Sequence, residues 1–399
     1  MKKYIFGLIT FVCLTFQNVK ATNCVLPLKP NYSFFAPLIF TKNGTLIDTE
    51  NVSPNHEDIA LEAGQEVLLS CAPSYFKHFS ADKTLSATCK EETNLLVQDA
   101  EKDFTSDLSC GVRSIEEIIT PVNGCPSNCR SIEYGYANPI AGKSYVLGEV
   151  CMNVKTGRML FVHTRLRKDG THTDVDKVAL KVRGPNYFHQ EHPTTYYKIE
   201  LMKALRLDDL NAMYKSMFGP KNIPLISTKR YVAANMLTNK QYLPVTKLAW
   251  NYAIVNDEEH LENYDSLQED IMALQVENLE VYTGSSGTLS WKAQNGDQVE
   301  VFLKTNKFPV PKYLWTVVKS GQKVVAFAIL NKNNVSDRDL QKDSFCSSKC
   351  EEISWIKNLK AEKQYKKLEH GYVLCCEFNE FKRTITEMPN ISGTLELFT

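Results

Sequence analysis

The chain has 399 residues, 43% of them hydrophobic, 10% aromatic and 23% charged, enough for two ordinary domains with a sizeable core. A disordered tail, a collagen-like or coiled-coil rod and a polytopic membrane protein are excluded. Lys and Arg number 46 against 46 Asp and Glu, so total charge alone points to neither a nucleic-acid protein nor an acidic-ligand protein. Charge is unevenly spread, however. Residues 22–142 hold 8 basic and 16 acidic side chains, 143–250 hold 18 and 8, and 251–399 hold 17 and 22. The basic middle third suits a polyanionic partner, or equally a scattered solvated surface.

At the N-terminus, Lys2 and Lys3 precede an apolar run over 4–16, and Val19, Lys20 and Ala21 give a small-residue cleavage pattern. Residues 1–21 therefore read as a signal peptide, and the mature chain as secreted and extracellular. The run is too short to span a bilayer, and no later stretch reaches about 18 apolar residues, so no membrane-embedded role is expected. Glycosylation triplets at Asn31, Asn43, Asn334 and Asn390 fit that route, with a poorer one at Asn51, where Pro54 follows Ser53.

Of 12 cysteines, Cys13 leaves with the leader, and the other eleven should mostly pair in an oxidising compartment, with one left over. Adjacent Cys375 and Cys376 each need a distant partner, and Cys346 and Cys350 are the nearest candidates, crossed or nested. The same four could in principle hold zinc, but secretion favours disulfides. Cys24, Cys71, Cys89, Cys110, Cys125, Cys129 and Cys151 remain without assigned partners.

Residues 22–142 read as a small disulfide-bearing β module. Gly64 leads into a strand ending at Cys71, and a second strand covers 85–89. Pro121, Gly124, Pro126, Gly135, Pro139 and Gly142 thicken the turn chemistry, which places a linker there and starts the second domain at 143. Strands over 145–154 and 158–167 pair around Lys155, Thr156 and Gly157. With period-two alternation, Met159, Phe161, His163, Arg165 and Arg167 share one face and Leu160, Val162, Thr164 and Leu166 the other. Arg165 and Arg167, with Lys168, Lys181 and Arg183, form a candidate phosphate-binding group, with ordinary surface salt bridges as the alternative. A helix is expected over 193–217, its stripe of Ile199, Met202, Leu205, Leu210, Met213 and Met217 being core packing.

The segment Ser227, Thr228, Lys229, Arg230, Tyr231, Val232, Ala233, Ala234, Asn235, followed by Asn251, Tyr252 and Asn263, resembles the active-site stretch of the DNA/RNA non-specific endonuclease family. Residues 279–289, 309–314, 326–334, 346–356 and 371–389 resemble its insect branch, so the likeness covers 143–399. It implies an α+β fold: a mixed antiparallel sheet with flanking helices, containing the strand-strand-helix element of the ββα-metal nucleases. It also implies an origin in saliva. The family's motif is Asp-Arg-Gly-His or a near variant, in which His deprotonates water and Arg steadies the phosphate. Arg230 keeps the Arg position, Tyr231 stands in the Gly place and Val232 in the His place. An isopropyl group can neither accept a proton nor hydrogen-bond a water.

The family's single Mg²⁺ is held by an Asn carbonyl, and Asn263 matches that position. The surroundings depart from the pattern: Asp257, Glu258 and Glu259 replace a Pro-Gln pair, Leu267 replaces a Trp, and Glu269 or Asp270 would be the supporting carboxylate. His260 is a conceivable substitute base, and Tyr231, Tyr242 and Trp250 could stack on unpaired bases. The expected function is sequence-tolerant binding of DNA and RNA through Lys229, Arg230, Arg165, Arg167, Lys168 and Arg183, with absent or residual cleavage. Two alternatives are an active Mg²⁺-dependent endonuclease with a non-standard base and an adhesion factor acting through the N-terminal module.

Overall fold

The computed structural model describes residues 23–27, 36–45, 47, 58–72, 74–79, 82–111, 116–118, 124–137, 140, 144–153, 155–156, 158–166, 181–183, 203, 227–235, 247–255, 262–274, 276, 279–293, 295–304, 307–332, 335–391 and 396–399. They form a mixed α+β structure dominated by sheets, with a few short helices.

Near the N-terminus, β1 (Cys24–Pro27) pairs with β3 (Asp58–Leu61). A five-stranded antiparallel sheet has the order β2 (Leu38–Thr41), β4 (Glu66–Ser70), β5 (Thr84–Glu91), β6 (Asn94–Val97), β7 (Ala100–Asp103). The alternation that predicts β4 and β5 is the alternation that buries them: Leu85, Ala87 and Cys89 go inward while Ser86 stays exposed. Gly64 enters β4 through a turn at φ +77°, where a side chain would be strained. Disulfides Cys24–Cys89 and Cys71–Cys110 pin the unit.

The larger sheet has nine strands. In spatial order they are β22 (Val373–Cys376), β21 (Lys323–Leu330), β20 (Tyr313–Ser320), β15 (Leu279–Ser286), β11 (Arg158–Leu166), β10 (Ser144–Asn153), β9 (Arg130–Ala137) and β8 (Glu116–Ile118), with β23 (Glu396–Leu397) parallel to β21. The sheet thus begins at Glu116, upstream of the expected start at 143, because β9 pairs with β10 from Met152 to Ser144. Two antiparallel ribbons, β16 (Ser290–Lys292) with β17 (Gln298–Glu300) and β18 (Phe302–Lys304) with β19 (Lys307–Pro309), extend the loop between β15 and β20. A separate three-stranded sheet has the order β12 (Lys181–Arg183), β14 (Lys247–Val255), β13 (Ser227–Asn235).

The described helices are α1 (Glu262–Met272), α2 (Asp337–Asp343), α3 (Lys357–Lys360) and α4 (Phe378–Thr384). Helix α1 buries Tyr264, Leu267 and Ile271 at helical spacing, and Glu262 and Asp265 in its first turn suit the dipole. Central strands of the large sheet are buried on both faces, as β20 and β21 show with near-continuous apolar runs. Val150, Val162, Val281, Val318 and Phe327 share one core with α1; Cys151, Phe161, Trp315 and Ala326 share the other with Phe378 and Phe381 of α4. Apart from Lys203, the helix expected over 193–217 lies outside the described residues.

The hairpin β10–β11 forms as expected, but its facing needs correction. The register moves from Met152↔Met159 to Cys151↔Phe161, so β11 carries one extra residue at Leu160. A bulge of this kind breaks strict alternation. Met159 joins the core of Val162, while Leu160 and Phe161 both join the core of Cys151. The set Phe161, His163, Arg165 keeps its common side, and Met159 leaves it.

All five described disulfides use the cysteines expected to pair: beyond the first two they are Cys125–Cys151, Cys346–Cys376 and Cys350–Cys375. The last two are nested, and Cys129 is the free thiol among the described residues. Its half-buried position pushes its pKa up. Asn43 and Asn390 are exposed, whereas Asn31, Asn51 and Asn334 lie outside the described residues. No described helix is long and apolar enough to cross a membrane.

Candidate nucleic-acid interface

The stretch matching the endonuclease motif is the strand β13. It runs antiparallel to β14 with Lys229 opposite Ala253, Arg230 opposite Tyr252, Tyr231 opposite Trp250 and Val232 opposite Ala249. The register shifts between Arg230 and Tyr231 and again between Val232 and Ala234, so the motif sits in an irregular part of the ladder. On the other side of β14, β12 runs parallel and sets Arg183 opposite the same Ala249. Arg183 and Val232 therefore lie in one row of this sheet, two strand spacings or about 9.6 Å apart. In chain order β13, β14 and α1 give two antiparallel strands followed by a helix.

β13 also packs against β11, β10 and β15 of the large sheet. That contact brings the segment of Lys229 and Arg230 to the hairpin of Arg165. Arg165 has a side chain 73% exposed, and its Nε lies 3.9 Å from Glu280 Oε1, a loose contact. Glu280 holds Lys319 more closely, with Nζ donating to Oε2 at 2.5 Å. Most of the Arg165 guanidinium is thus free for a solvent-side anion. Arg167, Lys168, Tyr242 and His260 lie outside the described residues.

Asn263 is in the first turn of α1 and only 1% exposed. Its backbone N–H donates to His370 O at 3.0 Å, and Nδ2 donates to Gln364 O and Gly371 O at 2.8 Å each. Asp270 accepts backbone N–H groups of Asn358 at 2.9 Å and Leu359 at 3.1 Å, satisfying donors at the start of α3. Burial pushes the Asp270 carboxyl above its ordinary range, against the pull of these bonds. Glu269 accepts from Asn358 Nδ2 at 3.3 Å. These three side chains clamp α1 to the segment 357–371. A Mg²⁺ ion requires near-octahedral oxygen ligation and usually keeps several waters. An amide sealed among backbone carbonyls, with its neighbouring carboxylates turned to α3, does not fit such an ion. Among the described residues no group of three or more His, Cys, Asp and Glu side chains is placed to hold a metal.

Beside Arg165 lies a polar row that sequence alone did not assemble. Glu149, His163 and Tyr282 are direct cross-strand partners on β10, β11 and β15. His163 Nδ1 is 2.9 Å from Glu149 Oε2, and its ring stacks on Tyr282 with centroids 4.2 Å apart and planes 4° from parallel. The bond to His163 holds the Glu149 carboxyl below its usual range, burial opposing. Burial, with the charges of Glu280 and Glu149, pushes the Tyr282 hydroxyl up to about 12. The missing signal was the bulge: an unbroken hairpin would set Glu149 opposite Val162, and the extra residue at Leu160 sets it opposite His163.

No family model matches this sequence. Two curated relatives align along nearly all of it. Salivary protein Tsal1 of Glossina morsitans morsitans is 23% identical over 418 residues, covering 97% of this chain and 96% of the relative. Salivary protein Tsal2A of the same species is 22% identical over 387 residues, covering 90% and 91%. Among solved structures, the EndoG/EndoGI complex, described as showing the mechanism of EndoG inhibition, overlaps 49% of this chain and 76% of that one at 12% identity and TM-score 0.28.

Proposed function

We propose that this chain is a secreted, salivary-type protein that binds DNA and RNA through their phosphates, without sequence preference, and that cleavage is absent or residual. The observation that carries this is the packing of β13, with Lys229 and Arg230, against β11, with its exposed Arg165. It joins two basic segments far apart in sequence. Arg183 on β12, and Arg167 and Lys168 just after β11, extend the same cationic surface. Secretion is supported by the leader-like N-terminus, by the disulfides and by relatives named as salivary proteins.

Loss of cleavage follows from the chemistry at Val232. Without a positioned base, about 10²- to 10⁴-fold of rate goes. Binding does not need that base. Lys and Arg on phosphate oxygens release condensed counterions and carry no base information, so affinity is tolerant of sequence and sensitive to salt. Nor does it need a metal, given the surroundings of Asn263.

The test uses the purified mature chain with duplex DNA, single-stranded DNA and RNA in gel shifts, with Mg²⁺ and with chelator. Shifted, intact nucleic acid in both conditions is expected, and Arg230→Ala should weaken all three substrates alike. Absence of any shift at low salt would end this reading. Complete digestion by trace protein with Mg²⁺ alone would instead mark an active endonuclease with a non-standard base.

A further inference from the structure

The phosphate surface makes no use, so far, of the row Glu149, His163, Tyr282. A carboxylate on Nδ1 fixes the imidazole tautomer with its hydrogen on that nitrogen, so Nε2 of the neutral ring is a bare lone pair. In this structure Nε2 is buried and has no hydrogen-bond partner. Buried polar atoms are rarely left so, and this one calls for a ligand or a proton. Its position favours a ligand. Along β11, exposure rises from 1% at Phe161 through 6% at His163 to 73% for the side chain of Arg165. His163 thus sits at the margin where this face leaves the core, about 6.6 Å along the strand from the most open cation of the surface.

We propose that His163 is a proton-gated phosphate contact: as an imidazolium it donates Nδ1–H to Glu149 and Nε2–H to a phosphate oxygen of the strand held by Arg165. The inference rests on the phosphate-binding reading above and adds its regulation by pH. The charged and titratable groups around it are Glu149 on β10, Arg165 on β11, Glu280 and Tyr282 on β15 and Lys319 on β20. The adjoining strands bring Lys229 and Arg230 on β13 and Lys307 on β19. Arg165 and Lys319 are balanced by Glu280. Glu149 is then the anion that faces the ring, and it stays ionised below neutral pH because His163 holds its carboxyl down. A bound phosphate adds a second anion on the opposite nitrogen, so binding takes up a proton. Affinity therefore rises as the pH falls.

The experiment is fluorescence anisotropy of a short labelled oligothymidylate, whose bases carry no group titrating in the range, with the full mature chain at constant ionic strength. The pH runs from about 8 to about 5, where a histidine changes charge. Wild-type protein should bind tighter toward low pH, by up to about tenfold per pH unit at the steepest point for one linked proton. His163→Gln should flatten the profile, and Glu149→Gln should move the rise to lower pH. His370→Gln, removing an imidazole that pairs with Glu262 elsewhere, should leave the wild-type profile in place. Tight wild-type binding with no pH dependence, which needs no variant to fold, overturns the assignment alone, as does a His163→Gln profile like the wild type. No binding at any pH overturns both this inference and the phosphate-binding reading beneath it.

Discussion

Gly284 sits where β15 passes the bulge of β11, opposite Phe161 and Trp315. A Cβ there would fall 2.1 Å from Leu160 O and 2.5 Å from Trp315 Cζ2, one a backbone atom and the other a buried ring. Neither can give way. Gly284→Ala should cost about 3 kcal/mol of unfolding free energy, read from urea denaturation, and a midpoint unchanged from wild type would show that the bulge relaxes freely. Val232 is the opposite case, a residue whose meaning was legible from its neighbours in sequence alone. Because the surroundings of Asn263 have also moved away from an ion site, Val232→His should yield no measurable plasmid cleavage with Mg²⁺. Digestion at a nuclease's rate would mean that a metal site assembles after all. Arg165→Ala should weaken every nucleic acid alike and lower the salt slope of binding by about one. An unaltered slope would remove Arg165 from the surface.

At the level of elements, the sequence was readable wherever local chemistry decides the outcome. The hairpin β10–β11 follows from alternation and a Lys-Thr-Gly turn, and the pairing of Cys346 and Cys350 with the adjacent Cys375 and Cys376 follows from the strain of a bond between neighbours. Less legible was β9. Its Gly135 and the prolines around it read as linker, yet Gly135 lies opposite Val146 in a continuous ladder. Punctuating residues mark turns only when no neighbouring strand claims them. The bulge at Leu160 was invisible for a similar reason, being set by the close passage of Gly284 from more than a hundred residues away in sequence.

The turn after β7 carries a pH prediction of its own. Burial raises the Asp103 carboxyl, but hydrogen bonds from Thr105, Thr93 and Ser106 outweigh it and bring the pKa from 3.8 to about 2. A carboxyl lowered on folding stabilises the fold above its unfolded pKa and loses that contribution as the pH drops through its folded value. Stability of the N-terminal sheet should thus fall between pH 3.8 and about 2, and Asp103→Asn should flatten this limb. An acid limb of the same depth in the variant would assign it to other carboxylates. Asp103 is largely exposed, so the effect should be modest.

For the whole molecule, what matters is how charge is distributed over a neutral chain. Acidic residues dominate before 142, basic ones from 143 to 250 and acidic ones again afterwards. Folding gives that pattern a place, since the basic strands β12 and β13 form their own small sheet and β13 lies against the large one beside Arg165. The large sheet is cored on both faces and tied by disulfides at Cys125–Cys151 and at the β22 edge, which makes it a rigid support for side chains whose work is electrostatic. The sequence disclosed the charge but not this meeting of strands, because no periodicity records which sheet a distant ribbon will pack upon.

The measurement that reaches this most directly is the binding constant for duplex DNA across a salt series, with chelator present and the DNA recovered afterwards. The expected result is a straight, steep fall of log K with log salt, near −0.9 for each phosphate neutralised, and full-length DNA at the end. Affinity that ignores salt, or DNA cut whenever Mg²⁺ replaces the chelator, would contradict a protein that grips phosphates and leaves them whole.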